Sequence, residues 1–221
     1  IYGNNAMLGI INVITRKGAD FNATQLSTEF SSHGGRKQRV TTGRRFDNGA
    51  DLLLSVSAFD SRGQDHYFAP YDKPTSNNGV AKNIDGEGNQ RLFGKFSYEG
   101  FVFEAGYVDR KKEVPTKPTQ YTVFNTPFVI RDKNAFINAS YETDLSLSLR
   151  SATRFYQGHY AYENRRIVDD VDEPYARRLY EAQWWGLDQK FVGNWFSGHS
   201  LLFGFEFRND YRQKMRWSYF S

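Results

Sequence analysis

From Ala23 onward, apolar side chains recur at every second position, the spacing of a β-strand with two unlike faces, and helical periodicity is hard to find. Leu145, Leu147, Leu149, Ser151, Thr153 and Phe155 fall on one face, opposite Ser146, Ser148, Arg150, Ala152, Arg154 and Tyr156. Leu201, Phe203, Phe205 and Phe207 repeat the pattern opposite Leu202, Gly204, Glu206 and Arg208. Further apolar rows run from Leu52 to Ala58, Leu92 to Tyr98, Phe101 to Tyr107 and Ala135 to Tyr141, with weaker strands around Val40 and Thr42 and between Trp185 and Trp195. One face suits hydrocarbon and the other suits water.

Short and long connections alternate between these rows. Tight turns are predicted at Asp47-Asn48-Gly49, Glu99-Gly100, Thr143-Asp144 and Ser197-Gly198, where residues that tolerate unusual backbone angles cluster. Long polar loops are predicted over 61–89, 111–131 and 158–178, with a shorter tip over 32–36. The fold class that follows is all-β, an antiparallel up-and-down meander of about nine strands with its long loops at one end.

Composition narrows the setting. Aromatic residues make up 17% of the chain, yet mean hydropathy is −0.68 and no apolar run approaches the roughly 20 residues of a spanning helix. Strands that face lipid on alternate residues look hydrophilic on average, so a transmembrane β-barrel fits both facts. Tyr67, Tyr71, Tyr121, Tyr160, Tyr162, Tyr180, Trp184, Trp185, Trp195 and Trp217 crowd the strand ends, as interfacial girdles or as aromatic packing in a β-core. The absence of cysteine removes zinc-thiolate sites, thiol catalysis and disulfides. A net charge of +4 spread over interspersed residues gives no nucleic-acid footprint. The four histidines, His33, His66, His159 and His199, lie on separate connections and form no metal or acid–base motif, so no enzyme activity and no cofactor is expected. Asp85-Gly86-Glu87-Gly88-Asn89 has the alternate oxygens of a calcium loop but lacks its downstream glutamate, and a turn before a strand accounts for it better.

The first 18 residues, IYGNNAMLGIINVITRKG, break the alternation with a nearly continuous apolar run. Tyr2-Gly3, Ala6, Gly9-Ile10-Ile11-Asn12-Val13-Ile14-Thr15 and the basic Arg16-Lys17 resemble the end of the plug domain of TonB-dependent outer-membrane receptors. A looser likeness to the early barrel of siderophore and cobalamin receptors runs through Arg91-Leu92-Phe93-Gly94-Lys95, Gly106-Tyr107-Val108, Val114-Pro115 and Thr122-Val123-Phe124-Asn125. The resemblance implies that residues 1–18 end a plug and residues 19–221 begin a 22-stranded transmembrane barrel around a plugged lumen, so the chain is expected to be part of a longer protein. It opens on Ile1 inside what reads as a larger domain, and the lack of a leader therefore says nothing about compartment.

What the resemblance implies about function is TonB-energised uptake, without covalent chemistry, of a siderophore or cobalamin-like ligand across the outer membrane of a Gram-negative cell. Its partners are the TonB–ExbB–ExbD complex, the ligand, and outer-membrane lipid and lipopolysaccharide. Residues 17–20 act as a hinge between plug and barrel in this scheme. Glu29, Arg39, Arg45, Lys95, Glu104, Arg150, Arg154, Lys190, Glu206 and Arg208 line the lumen, or else solvate one face of a sheet. Candidate ligand contacts are Tyr67, Tyr71, Tyr160, Tyr162, Arg165 and Arg166, aromatics for rigid contact area and arginines for an anionic chelate. Two other classes stand beside this one: a passive porin-like channel, and a soluble β-rich carbohydrate-binding or adhesive module.

Overall fold

The computed structural model describes residues 13–115, 128–167, 175–196 and 198–220. Nine strands form one antiparallel sheet in chain order: β1 (Ala23–Ser31), β2 (Gly35–Arg45), β3 (Asp51–Ser61), β6 (Glu87–Tyr98), β7 (Phe101–Val114), β8 (Phe128–Ser146), β9 (Leu149–Ile167), β10 (Tyr175–Phe196) and β11 (His199–Phe220). Two short strands, β4 (His66–Tyr67) and β5 (Val80–Ala81), pair in a separate flap over 62–86. The sheet is open: β1 and β11 are its edges and are not paired with each other. Strands lengthen along the chain, from 9 residues in β1 to 22 in β10 and β11.

The period-two rows become two faces, because direct cross-strand partners share a side. Following the register, Val56 pairs with Val40 and Leu92, Leu92 with Tyr107, Tyr107 with Ala135, and Phe155 with Leu187, which pairs with Phe207. This is the apolar face, and no second layer covers it among the described residues: Val56 is 54% exposed and Phe205 58%. The opposite face is polar. All ten charged residues expected to line one side, from Glu29 to Arg208, fall on it by register.

The short turns and longer connections alternate as the sequence predicts, with three corrections. The turn expected at Thr143-Asp144 lies instead at Leu147-Ser148. Thr143 and Asp144 stay in the ladder opposite Ser151 and Arg150, where the Asp144 carboxylate accepts from Arg150 Nε at 3.0 Å. Residues 158–167 and 175–178 of the loop expected over 158–178 are strand, as are 111–114 and 128–131 of the loop expected over 111–131. Here the strands outlast their apolar rows because cross-strand charge pairs take over: Arg131 Nε donates to Asp109 at 2.7 Å and Arg177 Nη2 to Glu163 at 2.7 Å. Aromatics at the loop end also divide between the faces. Trp185 lies on the apolar face against Phe155 and Phe207, but Tyr160, Tyr162, Tyr180, Trp184 and Trp217 lie on the polar face, where no girdle would be.

The turns descend across the sheet. Along one line of direct partners running from Arg45 and Asp51 through Ser97, Val102, Ser140 and Arg154 to Asp188, β3 begins on the line, whereas β10 continues eight residues beyond it to Phe196.

Candidate functional site

The polar face carries two built regions. The first receives the segment before β1. Thr15 Oγ1 donates to Glu104 Oε1 at 2.7 Å and accepts from Lys95 Nζ at 2.8 Å, while Lys95 and Glu104 pair at 3.2 Å and Asn138 Nδ2 donates to Glu104 at 3.3 Å. The Lys95 and Glu104 side chains are only 13% and 19% exposed, so this is a shielded, mutually satisfied cluster. Three residues on, the Gly18 and Ala19 amides donate to the two oxygens of the buried Asp51 carboxylate at 2.5 and 2.8 Å. The chain can come this close because residue 18 is glycine: a Cβ there would collide with the Leu52 carbonyl oxygen, and Gly43 opposite leaves the matching space. The hinge expected over 17–20 is thus a pinned 3-10 turn, Gly18–Asp20. A polar cleft of about 500 Å³ lies between this segment and the sheet, with Arg39, Thr41 and Phe93 in its wall.

The second region is the loop end of the polar face, where side chains form a chain of contacts across β6 to β9. Tyr160 Oη donates to Asp132 Oδ1 at 3.0 Å, Asp132 faces Arg110 at 3.7 Å, and Arg110 grips Glu87 with two bonds of 2.8 Å. The fork geometry of arginine suits that bidentate grip. Beside it stands an aromatic wall. The Tyr162 and Tyr180 rings lie 5.8 Å apart, the Arg178 guanidinium sits 4.1 Å over Trp217, and Arg208 sits 5.2 Å over Trp184. Such rings and cations offer flat, rigid contact area to a planar or anionic molecule, without a nucleophile or a paired acid and base.

The flap over 62–86 rises between β3 and β6, at the Glu87 end of that chain of contacts. It has its own small core of Ala81, Ile84 and Phe68. Asp85 latches it: Lys112 Nζ donates to the Asp85 carboxylate at 2.6 Å and to its carbonyl at 2.7 Å, and His66 Nε2 lies 3.2 Å from the other carboxylate oxygen. Burial pushes the Asp85 carboxyl up, but the Lys112, His66 and Gln64 hydrogen bonds outweigh it and hold the group below its ordinary value. With Asp85 on Lys112 and Glu87 on Arg110, both carboxylates of the 85–89 run are engaged by cations.

The six candidate contacts divide. Tyr160 and Tyr162 join the aromatic wall, on strand β9 and not on a loop. Tyr67 and Tyr71 lie on the flap, where Tyr67 Oη donates to Asp72 at 2.9 Å and is held above its ordinary pKa by that bond. Arg165 points to the other face, against Glu163 at 2.6 Å, and so shares no site with Tyr160. The side chain of Arg166 lies outside the described residues. Residues 116–127 and 168–174, which include Tyr121, lie outside them as well. Asp132, Arg178, Tyr180 and Trp217 complete the wall; continuing the period-two count through the charged stretch, past the last apolar row, finds the first three, whereas a register shift between Asn209 and Arg212 turns Trp217 to the face opposite the one its count gives. Comparison with protein-family models, with curated proteins and with solved structures returns no match, so the geometry of the chain itself carries the functional argument.

Proposed function

We propose that this chain joins the end of a plug to the first strands of a TonB-dependent outer-membrane receptor, which takes up a metal chelate or a cobalamin-like cofactor in a Gram-negative cell. The observation that carries this reading is the segment Val13–Asp20: it is no strand of the sheet, and it docks on the polar face through Thr15, Gly18 and Ala19. A stopper tethered inside a hydrated barrel needs that arrangement, and a porin, having no plug to join, does not.

Three further features support it. The apolar rows face outward uncovered, as lipid contact requires and as a soluble sandwich would avoid. The edges β1 and β11 would be completed by the remaining strands of a 22-stranded barrel, since unpaired edges are not tolerated in hydrocarbon. The eight-residue descent of the turns between β3 and β10 amounts to roughly 26 Å along the strands, over five interstrand steps of about 4.8 Å. If the turns share one level, the strands lean by about 45°, close to the roughly 35–45° tilt of closed barrels.

In this reading cargo settles against Tyr160, Tyr162, Arg178 and Trp217 with the flap beside it, and the TonB–ExbB–ExbD complex supplies the work that rearranges the plug. The Thr15 and Asp51 contacts then anchor the fixed end of the moving cork. The test is uptake of labelled ferric siderophores and cobalamin by a strain lacking the gene. One of these cargoes should fail to accumulate, and a protonophore should abolish the same uptake in the parent strain. Uptake that survives the protonophore but disappears with the gene would favour a passive channel and sink the receptor reading.

A further inference from the structure

The docked segment does not lie flush on the sheet. The cleft of about 500 Å³ that it leaves has the size of a small-molecule site, roughly 300–1,000 Å³. Thr41 and Ser55 line it from the sheet, with their hydroxyls hydrogen-bonded to each other at 2.8 Å. Phe93 of β6 and Phe21, just before β1, also line it, so phenyl rings come from both the sheet and the segment.

The charge of this cleft is all of one sign. Arg16 and Arg39 line it, and no carboxylate does. Arg16 sits 5.4 Å over the Phe21 ring and has no ion pair among the described residues. Arg39 reaches Glu29 at 3.5 Å, but Lys37 holds the same carboxylate at 3.3 Å, so one anion serves two cations. Register adds a third guanidinium just above: Arg39 pairs with Ser57 and Ser57 with Arg91, which has no ion pair among the described residues either. The remaining carboxylates nearby are engaged: Asp51 by the Gly18 and Ala19 amides, Asp20 by the Lys17 amide, and Glu104 by Lys95 and Thr15.

We propose that this cleft binds a small, flat organic anion, a ring bearing a carboxylate or a phosphate, with its oxygens on Arg16 and Arg39 and its ring against Phe21 and Phe93. The planar guanidinium fork suits either headgroup, and the phenyl rings favour a flat ring over a bare ion. The site is separate from the aromatic wall, which stands on β8 to β11, whereas the cleft stands on β1, β2, β3 and β6. It goes beyond the receptor reading, because it needs only the docked segment and the strands beneath it.

The test is ligand-observed NMR on the full-length protein in neutral detergent, with empty micelles as the blank. Benzoate and phenyl phosphate are the probes; benzamide supplies the ring without the charge, and acetate and inorganic phosphate supply the charge without the ring. At least one ring-bearing anion should bind more tightly than all three controls, and the better of the two identifies the headgroup. Arg16→Gln and Arg39→Gln should each weaken it about tenfold, the loss expected for one charge-assisted contact. Phe93→Leu, which leaves the charge alone, should weaken it as well. Arg16 is exposed and makes none of the anchoring contacts, so its variant reads binding without disturbing the fold. No binding of either probe at millimolar concentration would overturn the site, as would benzamide binding as well as benzoate. Acetate or phosphate binding as well as the ring-bearing anions would mean an adventitious ion only, and would overturn it too. Binding kept in Arg39→Gln but lost in Arg178→Gln would put the anion on the aromatic wall and refute the cleft. Each of these failures leaves the uptake assay, and the receptor reading it tests, untouched.

Discussion

Asp51 shows how one side chain settles where a segment goes. Its buried carboxylate accepts both the Gly18 and Ala19 amides, which have no ladder partner of their own. Asp51→Ala leaves the buried Gly18 donor unsatisfied and should cost about 1–3 kcal/mol, read as a lower urea midpoint in detergent. Asp51→Asn keeps one acceptor oxygen and should lose less. An unchanged midpoint for both variants would mean that the segment is held by Thr15 alone. None of these contacts was legible in the sequence. Thr15 lies 80 and 89 positions from Lys95 and Glu104, and only the register of the whole sheet places the three together. The assignment of charged residues to the polar face was legible, because parity along a strand is local and survives errors in where the strand ends.

Among the elements, the flap has a stability that depends on pH through Asp85. Asp85 is held below its ordinary carboxyl value in the fold, so its contribution is fully present above the unfolded value of about 3.9 and is lost as pH falls through the lower folded value. Limited proteolysis over 62–86 should therefore be slow at neutral pH and accelerate in acid below about pH 4, while the strand signal persists. Asp85→Asn should be cut faster at neutral pH and lose that acid step. A step retained by the variant would assign it to another carboxylate. The sequence marked this stretch as a polar loop and missed its packing, because a core as small as Ala81, Ile84 and Phe68 has no periodicity to read. Strand ends failed for a related reason. Beyond Ala161 on β9 the outward positions are Glu163 and Arg165, and charge in place of apolarity looks like loop until their partners Arg131 and Arg177 are seen across the ladder. The Thr143-Asp144 turn was misplaced because turn-forming residues also fit a strand whose partner supplies a cation, here Arg150.

On the scale of the whole molecule, the described residues have no fully buried large side chain, and the hydrophobic surface is spread over one open face. An open sheet with a 22-residue free edge in β11 has no stable state in plain buffer. Purified alone without detergent, this chain should sediment as large aggregates, and detergent should disperse it. A sharp cooperative melt of a monomer in buffer would contradict the membrane reading. Meander order and the two-faced character of the strands followed from the sequence, since each needs only alternation and connection length. Whether the meander closes on itself depends on further strand pairings, and the lean of the turns is the nearest approach to that question within these strands.

The unequal strands give the molecule a high side and a low side. Where β1 to β3 stop after 9 to 11 residues, β10 and β11 run to 22, so the open sheet has a sill along one side and a tall backrest along the other. The sill is where the flap is rooted, and the backrest is where the tyrosines and the tryptophan of the wall are mounted. In the proposed receptor, a molecule arriving from outside would have an oblique way in, over the low part, past a flap latched by one aspartate, toward the aromatic panel.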